Sequence, residues 1–195
     1  GVKAPAEGRH TVYVWLRDGA GNADHTTAVA ISDAMWYDGT SPVTVVSHSA
    51  ATGLNGWHVE PVTFAMSATD TGSGLREIRL QVDDGPWQAV GGSYTLAQEG
   101  RHIVRISAVD QAGNLEPPHV FDMPIDFTPP QTIITGPGLY QPNARFEVSW
   151  TAIEGASGVA AYDVYARDGF SGAWQMWLQA TRLTSAQFDG QRGRT

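Results

Sequence analysis

Glu99-Gly100-Arg101-His102-Ile103-Val104-Arg105-Ile106-Ser107-Ala108-Val109-Asp110-Gln111-Ala112-Gly113-Asn114 decides how this chain is read. In its middle, Val104, Ile106 and Ala108 alternate with Arg105 and Ser107. A period of two with one apolar side is the pattern of a strand that covers a core with one face. The closing Asp110-Gln111-Ala112-Gly113-Asn114 consists of residues that favour a tight loop. The same frame stands at Glu7-Gly8-Arg9-His10 and Asp18-Gly19-Ala20-Gly21-Asn22, 92 residues earlier at every matched position. Gly193-Arg194 opens a third copy 93 residues after Gly100-Arg101. Repetition at this period points to a tandem array.

Further landmarks keep a similar spacing. Asp38-Gly39-Thr40-Ser41-Pro42 matches Asp126-Phe127-Thr128-Pro129-Pro130 at 88, and Thr69–Gly74 matches Ile153–Gly158 at 84. Val62, Phe64, Met66 and Ala68 form an apolar stripe that Phe146, Val148, Trp150 and Ala152 repeat. Ile78, Leu80 and Val82 form a second, repeated by Tyr162, Val164 and Ala166. Val104, Ile106 and Ala108 are repeated by Val12, Val14 and Leu16. Short alternating strands between turns over ~90 residues predict an all-β fold of two-sheet sandwiches. The expected organisation has three parts. Residues 1–39 hold the last two strands of a preceding module and a linker, 40–127 form a complete sandwich, and 128–195 form a module lacking its last strands.

Composition narrows the function classes. The 195 residues include no cysteine, which excludes disulfide scaffolds, thiolate metal sites and a cysteine nucleophile. Twelve basic against twenty acidic residues give a net charge of −8, unsuited to nucleic acid or anionic membranes. No apolar run is long enough for a membrane-spanning helix, so no membrane insertion is expected. No signal peptide opens the chain, as expected for a piece of a longer array.

The stretch 40–127 resembles a bacterial immunoglobulin-like repeat, through Asn55-Gly56-Trp57, Ala68-Thr69-Asp70-Thr71-Gly72-Ser73-Gly74, Asp83-Asp84-Gly85-Pro86-Trp87 and the closing frame Gly100–Asn114. The stretch 128–195 is similar to a fibronectin type III domain, through Pro129-Pro130, Val148-Ser149-Trp150 and Tyr162-Asp163-Val164. The resemblance implies tandem sandwiches in a secreted or cell-surface multidomain protein, serving as spacers, adhesive stalks or accessories to carbohydrate-active enzymes. It implies no single job, because such folds host many. Fibronectin-type units often carry a tyrosine near the start of the sixth strand. Here His102 and His10 occupy that neighbourhood, so the corner is expected to be built differently.

Catalysis is not expected, and neither is a cofactor. Asp70-Thr71-Gly72 has the local form of an aspartic-protease motif, but the matching Glu154-Gly155-Ala156 breaks it and a turn accounts for it. None of the six histidines sits in a helical metal motif, and no Gly-x-Ser-x-Gly elbow is present. Asp18, Asn22, Asp110 and Asn114 are weak calcium candidates, since Asp-x-Ala-Gly-Asn offers about three oxygens where calcium takes six to eight.

The tryptophans carry the remaining functional signal. Trp87 and Trp174 recur with the repeat and are expected to be structural, and Trp150 is expected in the core. Tyr13 and Trp15 should face away from the Val12, Val14 and Leu16 stripe, where the complete module has Arg105 and Ser107. With Trp36 and Trp57 they are candidates for a polysaccharide-binding face, because flat exposed aromatics bury large area at low entropy cost. Packing against a neighbouring module is the competing reading. The expected partners are neighbouring domains of the same parent chain, with polysaccharide as the alternative ligand. A module without its last strands leaves a sheet edge open. Residues 1–39 of one molecule are therefore expected to complement residues 128–195 of another, head to tail.

Overall fold

The computed structural model describes residues 6–11, 13, 15–23, 35–167, 169 and 171–190. The third copy of the repeat frame at Gly193-Arg194 lies outside these, as do Val12, Val14 and His25. Fourteen strands follow one another: β1 Gly8–His10, β2 Met35–Tyr37, β3 Val43–His48, β4 Val62–Thr69, β5 Leu75–Val82, β6 Gln88–Val90, β7 Ser93–Leu96, β8 Gly100–Asp110, β9 His119–Ile125, β10 Gln131–Thr135, β11 Arg145–Ile153, β12 Tyr162–Ala166, β13 Gln175–Thr181 and β14 Ser185–Asp189. The only helical turn among the described residues is a 3-10 turn at Leu54–Gly56. The all-β sandwich architecture read from the periodicity is what the chain adopts.

Two compact units divide the chain. One takes in Gly1–Ala50, Val62–Leu96 and His102–Met123, the other Ala51–Pro61, Ala97–Arg101 and Pro124–Thr195. In the first, β3-β4-β7 form an antiparallel sheet, and β6, β5, β8 and β9 follow in that order in a four-stranded one. The predicted stripes are its core: Val62, Phe64, Leu80, Val104, Ile106 and Ala108 are fully buried. Thr63, Ala65 and Ser67, which alternate with them, face out. A stripe on each sheet buries both against each other, and that burial stabilises the sandwich. Phe64, Phe121 and His48 pack ring to ring at 5.5 to 5.6 Å.

Strand β8 departs from simple alternation. Ser107, on the polar side of the sequence pattern, is 1% exposed and Val109 4%. The segment after β8 folds back over it: Glu116 donates its N–H to the Ala108 carbonyl at 3.0 Å, and the Ser107 hydroxyl donates to the Glu116 carbonyl at 2.8 Å. The Glu116 carboxylate in turn accepts the Thr44 N–H at 2.8 Å and the Thr44 hydroxyl, tying β3 to this cover. At the other end of β8, buried His102 meets the Asp83 carboxylate at 2.9 Å, and Asp83 also accepts the Ile103 N–H at 2.8 Å. Asp83 stands at φ 53, where a side chain is strained, and these bonds hold it there. A histidine–aspartate pair thus occupies the corner.

The second unit repeats part of this plan. Sheet β10-β11-β14 has the arrangement of β3-β4-β7, and β12-β13 that of β5-β6. Among the described residues, β12 has no neighbour in the role that β8 plays for β5. The core is aromatic: Trp150, 4% exposed, lies edge-on to Tyr162 at 6.3 Å and to Trp177 at 6.1 Å, and Trp177 meets Phe188 at 5.1 Å.

One expected burial is not observed. Leu16, placed on the inward stripe of the repeat frame, is 85% exposed. Its counterpart Ala108 is covered by β4 and β5 residues of the same core, whereas no such sheet stands over Leu16 among the described residues.

Candidate functional site

Three motifs that the sequence shows twice are brought together twice. Glu99 accepts the Phe127 N–H at 2.7 Å and the Thr128 hydroxyl at 3.0 Å. Asp126, in the same segment, accepts the Thr128 N–H at 3.3 Å and the Ser157 N–H at 2.7 Å. In the other unit Glu7 accepts the Gly39 N–H at 3.0 Å and the Thr40 hydroxyl at 2.8 Å. Asp38 accepts the Thr40 N–H at 3.1 Å and the Ser73 N–H at 2.6 Å. Each Asp-x-Thr segment is therefore held by a glutamate that precedes a strand and by its own aspartate on a serine turn.

The local chemistry explains the residue choice. A carboxylate accepting several N–H donors makes charge-assisted bonds about twice as strong as neutral ones. The Ser73 hydroxyl and N–H hold the Asp38 carboxyl below the ordinary carboxylate range, and Ser157 does the same for Asp126. Both turns use glycine where the carboxylate arrives: a Cβ on Gly72 would lie 2.5 Å from Asp38 Oδ2, and one on Gly155 2.5 Å from Asp126 Oδ1. The close approach, with no room for a methyl group, requires glycine at both positions.

Asp38 belongs to a wider cluster in its unit. Carboxylate oxygens of Asp38, Asp70 and Asp110 lie within 4.8 Å of one another. Three carboxylates at this spacing have the donor type of a hard-cation site. Each also accepts backbone N–H groups. Asp70 accepts that of Gly74 at 2.7 Å, and Asp110 those of Gly113 at 2.6 Å and Asn114 at 2.7 Å. The Asn114 amide donates to Asp110 at 2.7 Å and to the Asp38 carbonyl at 3.0 Å. These donors join segments 38–40, 70–74 and 110–114 and balance the clustered negative charge. Asp70-Thr71-Gly72 sits in a turn, as expected.

The sequence-predicted site residues fall out as follows. Asp110 and Asn114 enter the cluster. Asp18 and Asn22 repeat their bonds to each other, with the Asn22 N–H and side-chain amide both 2.8 Å from the Asp18 carboxylate. The Asn22 amide holds Asp18 below the ordinary carboxylate range. Tyr13 and Trp15, both about half exposed, stack on each other with centroids 6.2 Å apart. Trp36, 72% exposed, stands opposite Arg9 in the β1-β2 pair. Trp57 belongs to the other unit, with the Arg101 guanidinium 5.7 Å from its ring centre. The recurrent Trp87 and Trp174 each carry a guanidinium, Arg79 at 4.6 Å and Arg167 at 4.5 Å. The Glu7 and Glu99 bonds were missed as a site, although both residues stand in the quoted frame.

Neither a protein-family model nor a curated protein sequence matches the chain. Among solved structures, it is similar to a tetra-tandem repeat from the extending region of a large adhesion protein, at 19% identity and a TM-score of 0.36. That match takes in 94% of this chain, which spans about half (48%) of the length of the other.

Proposed function

We propose that this chain is a non-catalytic spacer or adhesive segment of a secreted or cell-surface bacterial protein, built of immunoglobulin-like and fibronectin type III-like modules. The carrying observation is the duplicated joint, in which Glu99, Asp126 and Thr128 repeat the bonds of Glu7, Asp38 and Thr40. Spacing a distant domain requires that the segment between successive repeats resist bending. Here that segment is tied by carboxylates and followed by Pro129-Pro130 or by Pro42. The three-plus-four strand arrangement of the first unit supports the module type. The polar groups gathered at the joint are spent on backbone N–H donors, an arrangement suited to holding a shape.

The test is a distance distribution between spin labels. The chain has no cysteine, so labels at Ser67→Cys and Thr151→Cys, both exposed sites, are unambiguous. Double electron–electron resonance should give a narrow distribution that broadens when Glu99→Ala and Asp126→Ala are introduced together. A distribution already as broad without them would overturn the reading.

A further inference from the structure

The second unit contains an apolar groove of about 680 Å³, lined among others by Phe146, Val148, Trp150, Tyr162, Val164 and Trp177. Two features mark it as an unfinished interior. Trp150 is buried, yet its indole N–H has no hydrogen-bond partner. Strand β12, along one wall, pairs with β13 on one side only, among the described residues. In the first unit the equivalent edge of β5 is covered by β8 through the pairs Ile78↔Ala108, Leu80↔Ile106 and Val82↔Val104.

The chain carries a second copy of the β8 frame. Its loop reproduces that of β8 bond for bond. Asp18 donates its N–H to the Asn22 carbonyl at 3.0 Å, and Asp110 to that of Asn114 at 3.2 Å. Arg17 bridges Ala23 as Val109 bridges Leu115, and Gly21 and Gly113 stand at φ 92 and 96. On this copy the stripe residue Leu16 lies exposed. One molecule thus offers both an apolar strand without a sheet and a sheet without its next strand.

From these we infer that the groove of one copy takes the Glu7–Asn22 segment of a second copy, added as a strand beside β12. The repeat offsets fix the register. Carrying the β5–β8 pairs over places Leu16 opposite Tyr162, Val14 opposite Val164 and Val12 opposite Ala166. Strand addition supplies backbone bonds to an open edge, and alternate side chains fill the groove. The contact is heterologous, since groove and strand lie on different surfaces, so association proceeds head to tail. This inference stands apart from the spacer reading, because the spin-label result does not depend on it.

Light scattering across a concentration series tests it, with the full chain. The average mass should rise with concentration, and Val164→Arg (groove) and Leu16→Arg (strand) should each hold the chain as a monomer. Mixed, the two variants keep one intact groove and one intact strand, and should form a dimer that grows no further. Register is read by disulfide formation in oxidised glutathione, because a bridge needs Cβ atoms about 3.5–4.5 Å apart. A mixture of Val14→Cys and Val164→Cys chains should cross-link, and one of Val14→Cys and Asp163→Cys, on the opposite face of β12, should not. A wild-type monomer at every concentration overturns the proposal, including the case in which a chain closes its own groove. Equal cross-linking of both cysteine pairs, or of neither, overturns it as well.

Discussion

Removing the Glu116 carboxylate tests the reasoning about how the sandwich of the first unit is closed. Glu116 is 8% exposed and Thr44 5%, and the carboxylate is the acceptor for both the N–H and the hydroxyl of Thr44. In Glu116→Ala both donors lose their acceptor inside a covered site. An orphaned buried donor costs about 1–3 kcal/mol, so the pair should cost about 2–4 kcal/mol. For a domain of this size that is a fall of at least ~10 °C in the unfolding midpoint. Thr44→Val removes the hydroxyl but keeps the N–H bond, and should cost about 1 kcal/mol. Burial by itself raises the Glu116 carboxyl, but the Thr44 donors outweigh it and His119 at 3.3 Å helps, leaving it lowered. A lowered carboxyl contributes stability that is fully present above its unfolded value of 4.5 and is lost as pH falls through its folded value. The difference between wild type and Glu116→Ala should therefore be constant at neutral pH and shrink below 4.5. Denaturant unfolding followed by amide hydrogen exchange at Thr44 and its β4 partner Ala68 reads the first unit directly. A loss below about 0.5 kcal/mol, within the range of an ordinary surface change, would refute the account, as would a difference that does not respond to acid.

Gly155→Ala should break the joint without touching a core residue, because its methyl group meets Asp126 Oδ1 at 2.5 Å and displaces it from the Ser157 N–H. The expected result is faster hydrogen exchange at Ser157, with the β11 amides unchanged; protection equal to wild type would show that the aspartate relocates freely. On polysaccharides, the spacer reading predicts no retention on cellulose, chitin or cell-wall glycan, with wild type and Trp15→Ala eluting together in a pull-down. Retention lost in Trp15→Ala would transfer the function to the stacked Tyr13 and Trp15 rings.

The stripes were legible because burial imposes a period of two that survives in a single sequence. Val62, Phe64, Ile106 and Trp150 could be assigned inward from spacing alone. Leu16 has the same pattern but lies exposed, since periodicity records which face is apolar and says nothing of whether a second sheet covers it. Ser107 fails in the opposite sense: a polar residue on the outer face is buried by a chain segment that crosses it, an arrangement without a periodic trace. The carboxylate joints were half visible. Glu7 and Glu99, Asp38 and Asp126 stand out as repeated letters, but their partners are backbone N–H groups, which every residue except proline possesses. Glu116 gave no signal, because its bonds to Thr44 span 72 residues and the repeat does not extend to it.

The duplicated joint also bears on how a gene for such a chain can change length. The glutamate and the Asp-x-Thr segment close one repeat, and the glycine–serine turn that receives the aspartate lies early in the next. Recombination that inserts or deletes one whole repeat therefore rejoins a closing half to an opening half of matching chemistry, wherever the crossover falls. No new interface has to evolve at the seam. Array length becomes a quantity that unequal crossing-over can vary, copy by copy, while every seam keeps the same donors and acceptors.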